Sequence, residues 1–126
     1  MINVSKYQPA LLLAGRILLV AIYFLGGLSL LKGQVPVDYA ATKGVPAVLV
    51  WAGYAIKLFG GLGIIIGLFT RLSALGLILF TLGTAFIFHP YPDSVFLKEI
   101  SMIGGLLVLL ATGPGSISVD ARMGRK

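Results

Sequence analysis

The chain has 126 residues, of which 58% are apolar and only 11% charged, and its mean hydropathy is +1.02. Soluble domains carry about a quarter charged residues, so a water-soluble core, a disordered chain and a coiled coil all fit poorly. What remains is a small integral membrane protein whose net charge of +6 reads as membrane orientation and attraction to anionic headgroups rather than nucleic-acid binding.

The first apolar segment covers residues 10–31, long enough at about 1.5 Å per residue to cross roughly 30 Å of hydrocarbon. It exceeds the 7–15 apolar residues typical of a signal peptide, so it is expected to stay in the protein. Arg16, Val20, Tyr23, Gly27 and Leu30 fall on one stripe of it at helical spacing. Arg16 lies about one and a half turns inside, within snorkelling distance of headgroup phosphates. Tyr23, near mid-span, needs a hydrogen-bond partner if it is buried.

The second segment, residues 45–68, opens with Pro46 in the first helical turn, where no amide partner is lost. Lys57 stands about twelve residues from its start, close to the bilayer centre, where a charge costs roughly 2.5–3.5 kcal/mol on insertion scales. Regular helical spacing places Gly53, Lys57, Gly60 and Ile64 on one face, with Gly67 continuing the seven-residue glycine repeat. Small faces let membrane helices approach closely, so Lys57 is expected to face protein, with Tyr54 one turn away. Trp51 reads as a packing or interfacial aromatic.

The third segment, residues 72–88, stops before His89-Pro90-Tyr91-Pro92, whose prolines cannot continue a helix. The fourth, residues 95–112, carries Lys98 and Glu99 one turn inside and ends at Gly113-Pro114-Gly115. Glu99 is the one acid expected within a span. It is a candidate partner for Lys57, although Lys32, at the same boundary, offers the easier geometry. Lys98 and Gly105 share a small, partly polar face. None of the runs alternates as barrel strands do, so the fold class is all-α, an antiparallel bundle of four transmembrane helices forming one domain over residues 1–126.

Four spans place both termini on one side. Lys6, Arg71, Arg122, Arg125 and Lys126 gather there, against Lys32, Lys43 and Lys98 opposite. This five-to-three bias puts both termini in the cytoplasm.

The chain has no cysteine, one histidine and four acids. Thiolate chemistry, disulfides and iron–sulfur ligation are therefore excluded, and a self-contained metal cage is disfavoured. No phosphate-cradling loop, HExxH or nucleophile elbow is present, so no catalytic residue is assigned. The candidate site residues are the membrane-embedded charges Arg16, Lys57, Lys98 and Glu99. With them stand His89, Tyr91, Tyr54 and Tyr23 as quinone or interface contacts. The candidate packing residues are Gly27, Gly53, Gly60, Gly67 and Gly105.

Several stretches together resemble the DoxX family. They are GRIL at 15–18, GVP at 44–46, KLFGGLGIIIGLFTR at 57–71, FTLGTAFIFH at 80–89, IGGLL at 103–107 and TGPGSISVD at 112–120, the last similar to the family's TGPG-x-x-S-x-D tail. The resemblance covers nearly the whole chain. It implies a four-helix protein of the bacterial or archaeal plasma (inner) membrane, from a family named for a small subunit of a thiosulfate:quinone oxidoreductase. One departure is Lys57, where this family commonly carries an acid, so no proton-accepting carboxylate is available at that position.

Two functions follow as expectations. One is a small subunit or anchor of a quinone-linked oxidoreductase complex. It would hold no covalent or metal-ligated cofactor, and it would work beside other membrane subunits with quinone as the ligand. The other is an assembly or structural protein that acts through its glycine faces, by helix packing or homo-oligomerisation. A small-solute transporter is a distant third, because four spans without broken-helix repeats leave little for alternating access.

Overall fold

The computed structural model describes residues 5–88 and 94–124. Among the described residues, four helices are long and apolar enough to span a membrane, Ser5–Leu30, Ala47–Ile66, Thr70–Ile87 and Ser94–Thr112. No strand occurs among the described residues. In hydrocarbon every backbone N–H and C=O must be paired inside the protein, and uninterrupted apolar runs meet that demand only as helices. The architecture is an antiparallel bundle of an all-α integral membrane protein. Its terminal end holds the start of the first span and the end of the fourth. Its loop end holds the short helix Val37–Ala41.

Proline and glycine set the ends. Pro9 lies in the first turn of the first helix, and Pro46, in extended backbone, is the N-cap of the second span. That span stops at Ile66 rather than continuing to 68, because Gly67 takes the left-handed conformation (φ 77°) and ends it. A residue with a Cβ is strained there. Gly67 is therefore a helix terminator, and it is also a close-packing glycine, since a Cβ there would collide with Ser118 of the tail.

The core comprises Val20 and Tyr23 of the first span, Ile64 of the second, Ala74, Leu77 and Ile78 of the third, and Ile103, Leu106 and Leu109 of the fourth. The buried residues of the first helix are Arg16, Val20, Tyr23 and Gly27, which fall on the stripe read from the sequence. Large apolar residues such as Leu18, Leu72 and Leu79 remain exposed. In a bilayer that surface is solvated by acyl chains and costs nothing.

Arg16 does not snorkel. It is only 3% exposed, and its guanidinium turns into the bundle. Nε donates to the Ile64 carbonyl at 2.7 Å and Nη2 to that of Ile65 at 3.0 Å. Nη1 donates to the carbonyls of Pro114 at 2.6 Å and Ile117 at 2.9 Å. Ile64 and Ile65 lie in the last turn of the second span, whose carbonyls lack helical donors and carry the negative end of the helix dipole. A cation satisfies both needs. The planar fork, with five donors, suits a site with four acceptors.

Asp120 does the reverse at the next helix. Its carboxylate accepts from the backbone N–H groups of Phe69 at 2.7 Å and Thr70 at 2.8 Å, capping the start of the third span. Its own N–H donates to the Gly67 carbonyl at 2.8 Å. The TGPG turn makes this reach feasible, with Gly113 and Gly115 both at positive φ. Ser118 Oγ then caps the helix Val119–Arg122 by accepting from Ala121 N–H at 3.1 Å. The tail is thus folded back and sealed under the bundle.

The second span contains one irregularity, a π-helical turn at Ile56–Gly60. Regular helical steps from Gly53 lead to Lys57 and Gly60. The buried residues of the span are Val50, Gly53, Leu58, Gly61, Gly63 and Ile64, with a step of five from Gly53 to Leu58 across the wider turn. Lys57 still faces protein, half-buried beside Gly26, Tyr54 and Phe80, and Gly60 still packs against Leu77, but the extra residue in the turn brings Leu58 into the core beside them. Leu58 takes the core position and Lys57 moves to the flank. The widened turn needs space, which Gly27 supplies, since a Cβ there would lie 2.5 Å from the Leu58 backbone nitrogen.

Removing the tie should be costly. Arg16→Met removes four charge-assisted bonds to backbone carbonyls, leaving the Ile64 carbonyl with only the Gly67 N–H as donor, and should lower stability by on the order of 3 kcal/mol, since charge-assisted bonds contribute about 1.5–3 kcal/mol each before compensation. Arg16→Lys should recover only part of it, because an ammonium lacks the fork geometry. Thermal unfolding in mild detergent reads this, and two variants that melt with wild type would refute the clamp.

Candidate functional site

A cavity of about 610 Å³ lies toward the loop end, between the second, third and fourth spans and beneath the helix Val37–Ala41. The short helix contributes Tyr39 and Ala40, with Pro36 before it. The second span contributes Gly53, Tyr54, Ile56 and Lys57, and the third Leu79, Phe80, Gly83, Thr84 and Ile87. Glu99 comes from the fourth.

The walls are apolar, and several of them, including Leu49, Ile56, Leu79 and Ile87, are also exposed on the outer surface of the bundle. The mouth therefore faces the hydrocarbon. A ligand entering there arrives dissolved in the bilayer.

The π turn positions the amine. Freed from the core face, Lys57 extends beside the ring of Tyr54, with Nζ 4.3 Å from its centroid, and 5.8 Å from that of Phe80 on the third span. Both are cation–π distances. On its other side the stem crosses bare backbone, because a Cβ on Gly26 would sit 2.8 Å from Nζ. Gly53 makes room for the Phe80 ring, which would lie 2.7 Å from a Cβ at that position. Among the described residues no hydrogen bond reaches Nζ.

Glu99 lines the same cavity and lies within electrostatic reach of Lys57. Thr84 donates back to the Thr81 carbonyl at 3.0 Å and makes a long contact of 3.5 Å to Glu99 Oε1. Of the two lysines that the sequence offers as partners for Glu99, Lys57 shares its cavity and Lys32 does not. Lys32 is exposed and does not line the cavity.

The other candidates separate. Tyr23 is 3% exposed, and its hydroxyl is paired with Thr81 Oγ1 at 2.7 Å. It ties the first span to the third inside the core and does not line the cavity. Thr81 in turn donates to the Leu77 carbonyl at 2.7 Å. Lys98 is exposed and outside the cavity. His89 and Tyr91 lie outside the described residues.

The packing glycines act within the chain. Gly27 meets Leu58, Gly53 meets Phe80, Gly60 meets Leu77 at 3.3 Å and Gly105 meets Leu19 at 2.8 Å, each measured from an ideal Cβ. Glycine faces that pack within one molecule no longer motivate docking onto others. Sequence reasoning missed Phe80, Thr84 and the short helix over the cavity. Phe80 and Thr84 sit in an unbroken apolar run with nothing to mark them, and the π turn that aims Lys57 at them leaves no periodic signature.

The family model for DoxX matches residues 11–90. The chain belongs to the DoxX family. It is 37% identical to the inner membrane protein YphA of Escherichia coli (strain K12), an alignment covering 91% of each chain. It is 33% identical to the inner membrane protein YqjF of the same organism, over 97% of this chain and 98% of that one. No solved structure matches the chain significantly. The matched DoxX region contains both Arg16 and the cavity residues of the second and third spans, whereas Glu99 and the sealing tail lie beyond it.

Lys57 and Glu99 should be coupled. In a double-mutant cycle of Lys57→Met and Glu99→Gln, read by thermal stability, the coupling should fall at about 0.5–3 kcal/mol, the range for residues sharing a site. A parallel cycle of Lys32 with Glu99 should give about zero. Equal coupling in the two cycles, or none in the first, would contradict the arrangement.

Proposed function

We propose that this DoxX protein is a small membrane subunit of a quinone-linked oxidoreductase complex, and that its cavity receives the quinone headgroup. The observation that carries the reading is Lys57 Nζ, set between two aromatic rings inside an apolar cavity that opens to lipid. A quinone is an apolar ring with two carbonyl acceptors and an isoprenoid tail. The rings of Tyr54 and Phe80 offer stacking surface, the ammonium donates to a carbonyl, and the tail leaves between the exposed wall residues into the bilayer. A cavity of about 610 Å³ lies within the usual ligand-pocket range of roughly 300–1,000 Å³.

Electrons come from a partner in this reading. The chain offers no cysteine and one histidine, and no group of three metal-ligating side chains occurs among the described residues. The chain's own part is to bind and orient the ring, keep water out, and hold a proton donor at one carbonyl. We place the protein in the bacterial or archaeal inner membrane with both termini in the cytoplasm, beside other membrane subunits or a second copy of itself. The basic side chains of the terminal end support that orientation. A role in assembly or in structure alone has less support, because Gly27, Gly53, Gly60 and Gly105 are occupied within the chain, leaving Gly15, Gly83 and Gly104 as the open glycines of the spans.

The test is equilibrium binding of a short-tailed ubiquinone and menaquinone analogue to the protein in nanodiscs, followed by quenching of Trp51 and tyrosine fluorescence. Lys57→Met should weaken binding roughly 10- to 100-fold, the worth of one charge-assisted hydrogen bond. Lys98→Met, outside the cavity, should leave it unchanged. Wild-type protein that binds neither analogue and carries no quinone through mild purification would end the proposal.

A further inference from the structure

The quinone reading uses Lys57 only as a hydrogen-bond donor, yet the residue is also a primary amine, and a primary amine in an apolar pocket is a nucleophile for carbonyl carbon. We infer that Lys57 is a carbonyl-capture site, which binds long-chain aldehydes from the bilayer as an imine with Glu99 as the proton shuttle. Three features of the cavity meet at that amine. No hydrogen bond occupies Nζ among the described residues, and the mouth is lined by exposed apolar residues such as Leu79 and Ile56 that admit an alkyl chain. A carboxylate, Glu99, lines the same cavity.

The step balances without any redox partner. The Lys57 ammonium gives up one proton, which a water in the cavity carries to the Glu99 carboxylate. The freed amine lone pair forms the N–C bond to the aldehyde carbon while the C=O π pair moves to oxygen. A proton shifts from that nitrogen to that oxygen, giving the carbinolamine. Glu99 then returns its proton to the hydroxyl, which leaves as water as the nitrogen lone pair closes the C=N bond. The product is a protonated imine that keeps the original positive charge beside the Tyr54 ring, opposite a regenerated Glu99 carboxylate. The chain of the aldehyde lies in the bilayer throughout.

The inference shares the cavity with the proposed function but does not depend on quinone binding. The experiment uses the full chain in lipid nanodiscs without quinone, incubated with hexadecanal and sodium cyanoborohydride, which reduces only an imine already formed. Peptide mapping by mass spectrometry then locates each alkylated lysine. Lys57 should be modified at least about tenfold faster than Lys32, Lys43 or Lys98, as expected for a desolvated amine beside a proton acceptor. Glu99→Gln should slow Lys57 alkylation by about a hundredfold, the usual worth of general acid–base help, with Lys32 unaffected. Because the wild type itself reports every lysine, a variant that fails to fold does not decide the outcome. Lys57 alkylated no faster than the exposed lysines would overturn the inference, and so would an unchanged rate in a folded Glu99→Gln protein. Preferential capture at Lys57 in a protein that binds no quinone analogue would leave the inference standing and remove only the quinone reading.

Discussion

Burial of the Arg16 guanidinium among four backbone carbonyls is the interaction on which this bundle depends. A charge in a span is expensive, and so are helix carbonyls that end without donors near the membrane. Bringing the two together cancels both costs. It also joins three parts of the chain that are far apart in sequence, namely the first span, the end of the second and the TGPG turn. Asp120 completes the seal from the other direction by capping the third span. With its terminal end closed in this way, the molecule can leave space at the opposite end.

That space exists because the second span is not a regular helix. The π turn at Ile56–Gly60 inserts an extra step, so Leu58 fills the core and Lys57 is displaced toward a cavity. Such turns recur at functional sites, and here the wider turn is accommodated by Gly27 on the neighbouring span. The cavity therefore rests on backbone geometry as much as on its lining. Lys57, Tyr54, Phe80 and Glu99 come from three different spans and meet only because the register changes between Gly53 and Gly61.

Much of the fold was legible in the residues. Continuous apolar runs in lipid leave helices as the solution, and proline and glycine marked most of the ends. The stripe through Arg16, Val20, Tyr23 and Gly27 matches the buried face of the first helix, because that helix keeps regular spacing. The same arithmetic failed in the second span, where a π turn breaks the spacing and no residue type announces it. Arg16 was misjudged for a related reason. Distance to the interface was visible, but the acceptors that compete with headgroup phosphates come from the end of the second span and from the tail, 48 to 101 residues away in sequence. Gly67 fitted the seven-residue repeat of packing glycines while serving to end the helix. Glu99 was recognisable as the intramembrane acid, whereas its position across the cavity from Lys57 depended on how the spans pack.

The most direct measurement of the central claim is amide hydrogen exchange at the terminal end in lipid. If the guanidinium and the Asp120 carboxylate hold the tail against the bundle, the backbone N–H groups of Phe69, Thr70 and Asp120 should exchange as slowly as those in the buried core of the spans, although they lie in or beside turns. Exchange as rapid as that of the exposed turn at Lys32 and Gly33 would show a tail that is not docked, and the account of how the bundle is closed would be wrong.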